Sequence, residues 1–275
     1  MFYRIKLSLI VALATVVCFG MSPAVNADEY AGKQWPASQL TSIDKMNHEA
    51  FDGLLKKYVD ANGMVNYKAF HASAEDRAKL TTYLEMLSCA DATLPATREA
   101  KLAFWINTYN ALTLEGILRV YPTTSIRKHT AKLLGYNIWK KLHLQIGNEK
   151  VTLNQVEHEI LRPMGEPRVH FAIVCASIGC PRLLNEAYVP NRLEEQLATN
   201  TFDFFSRSQN LKVDSQGNLH LSKIIEWFGT DFGVSSQAQI QALQPYFPQV
   251  AKDLVAGGRY NIKYQEYDWN LNEQR

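Results

Sequence analysis

Residues 157–181, EHEILRPMGEPRVHFAIVCASIGCP, place Glu157, His158, Arg162, His170, Cys175 and Cys180 within one short window. A thiol here could act as a nucleophile, provided that a neighbouring imidazole lowers its pKa. Cys175 is the better placed of the two cysteines. It ends an apolar run and is followed by Ala176-Ser177-Ile178-Gly179, small residues that let backbone N–H groups approach and stabilise an oxyanion. The bland alternative is that Cys175 is a small buried hydrophobe, as free cysteines usually are. Cys180 lies far enough from Cys175 for the two to close a bridge, either structural or redox-active.

The histidines set the second question. Residues 158–162 read HEILR, one histidine short of the zinc-protease pattern HExxH, because Arg162 stands where the second ligand should be. On a helix His158 and Arg162 share a face, while Glu157 lies about 100° round from His158. The run from Arg168 to Cys175 is β-branched and aromatic, and predicts a strand. Strand alternation would put His170 on the face opposite Cys175, which favours His158 as the base for Cys175. A zinc site from His158, His170, Cys175 and Cys180 matches no common ligand spacing. No metal and no cofactor are therefore expected.

Positioning these groups requires a rigid frame. Glu99–Val120 is the longest helical pattern and is apolar on most faces, as a central buried helix should be. It carries Asn107 and Asn110, which must either satisfy irregular backbone or orient a catalytic group. Phe104, Trp105 and Tyr109 read as core. Thr152 with Gln155 forms a capping-box pattern, opening a helix that runs to Arg162 before Pro163. Further helices are predicted from Asp44, over 77–87, 191–206 and 222–228, and twice between 235 and 255. A hairpin is expected over 211–221 and a last strand over 260–264. Residues 28–43 read as an irregular arm and 123–150 as irregular. Asp231 and Asp268 should cap helix ends or orient a histidine. The sum is an α+β fold, a helix-rich single domain over 44–275 around a small β-sheet.

The N-terminus has basic Arg4 and Lys6, an apolar stretch over 7–19 and Val25-Asn26-Ala27, the pattern of a cleaved export signal over 1–27. A periplasmic or secreted location follows, with no membrane insertion after cleavage. Removing those residues, which carry two basic and no acidic side chains, leaves 27 of each sign and no net charge. No basic stripe suits a phosphate backbone, so nucleic acid is not an expected partner.

Taken together, FWINTYNAL at 104–112, VEHEILR at 156–162, VHFAIVCASIGCP at 169–181, SKIIEWFGTDFG at 222–233 and YDWNLN at 267–272 resemble the family called domain of unknown function 547. The resemblance implies no established activity; its motifs fall on Asn107, Asn110, Glu157, His158, Arg162, His170, Cys175 and Cys180. Two classes of function are then in play. One is a thiol-dependent hydrolase or acyl-transferase acting on a small-molecule or peptide substrate, with Cys175 as nucleophile, His158 or His170 as base, and Glu157, Asn107 or Asn110 orienting them. The other is a binding or assembly module with a structural Cys175–Cys180 disulfide, or a thiol-disulfide redox protein.

Overall fold

The computed structural model describes residues 29–131 and 136–275; the expected export signal at 1–27 lies outside the described residues. The stretch expected as an irregular arm contributes strands β1 (Glu29–Ala31) and β2 (Thr41–Ser42). Helix α1 (Glu49–Tyr58) buries Phe51, Leu54, Leu55 and Tyr58 along one face. Two short chain reversals lead through α2 (Tyr67–Ala72) into α3 (Ala74–Leu87), whose first turn is capped by the Ser73 hydroxyl. Strand β3 (Ala90–Asp91) pairs with β2.

Helix α4 (Arg98–Val120) is the axis of the molecule. Thr97 caps it, and nearly every side chain from Ala100 to Leu118 is buried. It ends where Tyr121, extended as residues before proline must be, leads into Pro122. The described residues of 123–150 hold more regular structure than their composition predicts. After α5 (Ile138–Lys141) comes a hairpin of β4 (Leu142–Ile146) and β5 (Glu149–Thr152), with β1 added parallel to β4. Thr152 and Gln155 form the capping box that opens α6 (Leu153–Gln155). The helical run continues as a π-wound turn over Val156–Leu161 and a 3-10 turn over Arg162–Met164.

The predicted strand at 168–175 does not form. Pro167–Phe171 is a 3-10 turn started by Glu166, whose carboxylate accepts from Arg168 N–H, and 172–175 is irregular. The apolar residues of this segment are buried as expected, but they pack on helices instead of pairing with a strand. The rest follows as α7 (Leu193–Ser206), the hairpin β6 (Leu211–Val213) and β7 (Asn218–Leu221), α8 (Lys223–Trp227), α9 (Gly229–Phe232), α10 (Ser236–Leu243), α11 (Gln249–Ala256) and β8 (Asn261–Tyr264), which lies parallel to β7. The fold is helix-rich α+β with small sheets.

Two apolar clusters make up the interior. The larger surrounds α4; the smaller gathers Phe171, Phe204, Phe205 and Phe232 with the β6–β7–β8 sheet. Residues 169–174 belong to both, since Val169, Ala172, Ile173 and Val174 pack in the first and Phe171 in the second. Tyr267 packs against both as well. The chemically rich segment therefore lies on the seam between the clusters.

Candidate active site

Asn107 and Asn110 explain how an irregular segment is held still. Asn110 donates to the Ala172 carbonyl at 3.0 Å and accepts from the Val174 N–H at 2.9 Å, so one buried amide takes the place of a neighbouring strand. Asn107 clips Tyr188 in the same way, donating to its carbonyl at 2.8 Å and accepting from its N–H at 2.9 Å. Asn200 adds a bond to the Phe171 carbonyl. Of the two roles open to Asn107 and Asn110, both satisfy irregular backbone, and Asn110 thereby fixes the chain that leads into Cys175.

Cys175 lies on the wall of a cavity of about 180 Å³. Cys180, Glu157, His170, Tyr109 and Tyr267 share that wall, and Trp139, Trp227, Phe228 and Trp269 give it an aromatic rim. The rings touch one another: Trp269 lies 4.4 Å from Tyr267 and 5.9 Å from Trp227, centroid to centroid. Cys175, Cys180 and Cys89 are free thiols, so the Cys175–Cys180 disulfide that the spacing allows is not formed. The two sulfurs share one hydroxyl instead. Tyr267 Oη is 3.2 Å from Cys175 Sγ and 3.0 Å from Cys180 Sγ, and Cys175 N–H donates to Cys180 Sγ at 3.0 Å. Hydrogen bonding from Cys180, then from Tyr267 and Ser177, draws the Cys175 thiol below its usual range despite burial. Burial pushes Cys180 well above its own. The pair is thus split into a sulfur that ionises easily and one that keeps its proton.

Gly179 makes this contact possible. A Cβ there would stand 2.9 Å from Asp268 N and 3.0 Å from the Tyr267 ring. The loop also accepts the C-terminal segment edge to edge, through Ile178 N–H to Asn270 O and Gly179 N–H to Asp268 O, both at 2.8 Å. Asp268 turns its own side chain to Asn270 N–H, so it shapes this segment and lies outside the cavity wall.

The acid-base groups sort differently from the sequence reading. Glu157 points into the cavity, accepting from Tyr109 Oη at 3.3 Å, and burial raises its carboxyl to about 7. His170 is buried on the same wall, stacked on Phe228 at 4.2 Å, with Nε2 2.8 Å from Asp231. Its failure to sit in a strand removes the alternation that would have turned it from Cys175. Asp231 is the orienting aspartate: Arg162 donates to both its oxygens at 2.6 and 2.7 Å, which holds its carboxyl down to about 2. Burial lowers His170, so its imidazole is neutral near pH 7, and with Nε2 donating to Asp231 the basic lone pair is on Nδ1. His158 is exposed, accepts from Arg162 at 3.2 Å through Nδ1, and lies outside the cavity wall. His158 thereby stands apart from the other three residues of the zinc alternative, and among the described residues no three His, Cys, Asp or Glu side chains are grouped to hold a metal.

Tyr267, Tyr109 and the tryptophans are the site residues that residue-by-residue reading passes over. Each looks like ordinary aromatic core, and only the resemblance of FWINTYNAL, EWFGTDF and YDWNLN to family motifs marks three of the four segments that carry them.

An α+β frame that clips an irregular segment to a buried helix, and sets two thiols beside a buried carboxyl and a histidine–aspartate pair, defines a protein with a cysteine-centred site. Residues 94–205 match the family described as Protein of unknown function, DUF547. No curated protein and no solved structure matches the chain.

Proposed function

We propose that the protein is a cysteine-dependent hydrolase or acyl-transferase for uncharged, largely apolar acyl substrates. The observation that carries this reading is the pairing of Cys175 Sγ with Tyr267 Oη and Cys180 in a cavity that also holds Glu157. Thiolate attack on an acyl carbon forms a thioester as the leaving group departs with the proton of the Glu157 carboxyl. Near pH 7 that carboxyl is close to half protonated, the condition under which one group serves as acid and then as base. Water held at Nδ1 of His170 then gives a proton to the Glu157 carboxylate as it attacks the thioester, and the thiolate is restored. Asp231 fixes the His170 ring throughout.

The aromatic rim and the absence of any lysine or arginine from the cavity wall among the described residues support an uncharged acyl group over a phosphorylated or carboxylated one. We further propose that the protein works outside the cytoplasm, on the signal-like residues 1–27. The test is intact-mass analysis after incubation with a series of p-nitrophenyl esters. An acyl group on Cys175 in wild type or in a Glu157→Gln variant, absent from Cys175→Ala, is the expected result. Acylation elsewhere, or none with any chain length, sinks the proposal.

A further inference from the structure

The hydrolytic cycle uses Cys180 only as a hydrogen-bond donor to the nucleophile, a task that a hydroxyl could perform, yet a thiol is buried there with both its environment and its distance fixed. Tyr267 Oη touches both sulfurs, so they are no further apart than two hydrogen bonds through one oxygen permit. Cys180 Sγ also accepts from the backbone N–H of Cys175 itself. Access to the two is unequal: Cys175 is partly exposed, whereas Cys180 is 6 % exposed. A small oxidant entering the cavity meets Cys175 first.

We propose that Cys175 and Cys180 form a redox-controlled pair, in which a low-molecular-weight disulfide such as oxidised glutathione modifies Cys175 and Cys180 displaces it to leave an intramolecular disulfide that closes the site. The proposal rests on the reading of Cys175 as the nucleophile. In the first step Cys175 Sγ bonds to one sulfur of the small disulfide RSSR, the S–S bond of RSSR breaks, and RS⁻ leaves and takes up a proton. In the second, Cys180 gives up its proton and attacks Cys175 Sγ, the bond to SR breaks, and the second RS⁻ leaves as RSH. Two electrons pass from the protein dithiol to RSSR, and two RSH are released. Cys180 resists ionisation in its buried place, which is the property of a sulfur held in reserve until a mixed disulfide forms beside it. The disulfide consumes the nucleophile, so ester turnover stops until a thiol reductant restores the pair.

The test uses full-chain protein carrying Cys89→Ser, which removes the remaining described thiol. Reduced protein is treated with oxidised glutathione, quenched and digested without reductant. The expected product is a peptide cross-linked through Cys175 and Cys180, with no lasting glutathionyl group, and recovery of both thiols in dithiothreitol. In the added Cys180→Ser variant the glutathionyl group should stay on Cys175. A glutathionyl group that persists on Cys175 when Cys180 is present, or a protein that keeps two free thiols, overturns the pairing. Acylation of Cys175 by esters is measured separately on the reduced protein. Acylation without the cross-link defeats only the redox pair, and the cross-link without acylation defeats only the hydrolytic reading.

Discussion

The Glu157 carboxyl and the Asp231 carboxylate titrate in opposite senses, and both leave a mark on stability. Burial raises Glu157 to about 7, against about 4.3 in an unfolded chain. The folded state binds that proton more tightly, so the stabilisation is complete below about 4.3 and is lost as pH rises through about 7, with a span on the order of 3 kcal/mol. A Glu157→Gln variant keeps an acceptor for Tyr109 without the charge. Its urea midpoint should stay level between pH 5 and 8 while that of wild type falls; parallel curves would mean that Glu157 is not the group responsible. Asp231 behaves conversely. Its carboxyl is held to about 2 by Arg162, so its contribution is complete above about 3.9 and disappears as pH falls towards 2. Asp231→Asn should flatten that acid limb, and should also release the His170 ring, seen as loss of a single ordered imidazole signal by NMR.

At the scale of elements, the decisive device is a helix that substitutes for a strand. Asn110→Ala removes two buried hydrogen bonds and strands the Ala172 carbonyl and the Val174 N–H, a cost of about 2–4 kcal/mol that chemical denaturation would measure. A cost under 1 kcal/mol would show that the segment finds other partners. Gly179→Ala should act on the site alone: its Cβ meets Asp268 N and the Tyr267 ring, displacing the hydroxyl from the sulfurs, and the Cys175 thiol should then titrate higher than in wild type. Most elements were legible in the sequence. The apolar periodicity of α4, the Thr152–Gln155 box and the turn-bounded β6–β7 hairpin all express local rules, and local rules survive folding. The segment 168–175 misleads because its β-branched, aromatic composition reports burial, and burial is what it has. Which partner satisfies its backbone depends on Asn110, more than fifty residues away, and no local pattern encodes that. The π-wound turn that aims Glu157 inward is equally invisible to a 3.6-residue period.

Across the whole molecule, the site depends on parts distant in the chain meeting on the seam of two cores. Tyr267 and Trp269 arrive from the C-terminal segment, which threads from β8 past the Cys175–Cys180 loop and on to Val65, where Val65 N–H donates to Asn272 O at 2.8 Å. Truncation before Tyr267 should therefore lower the melting temperature and return Cys175 to ordinary thiol behaviour together. The candidate residues themselves could be named from the sequence, since Cys175, His170 and Glu157 all reach one cavity. Their grouping could not, because His158 and His170 are equivalent on paper and only the turn at Pro167–Phe171, with Asp231 from α9 to receive it, decides that His170 faces inward.

The proposed chemistry needs an activated sulfur, and the rate of Cys175 alkylation by iodoacetamide as a function of pH reads it directly. Wild type should show a midpoint below the roughly 8.5 of a free cysteine. Tyr267→Phe and Cys180→Ala should each move it upward, by removing a donor from Cys175 Sγ. A wild-type midpoint at or above the free-cysteine value, unmoved by either substitution, would contradict the central claim.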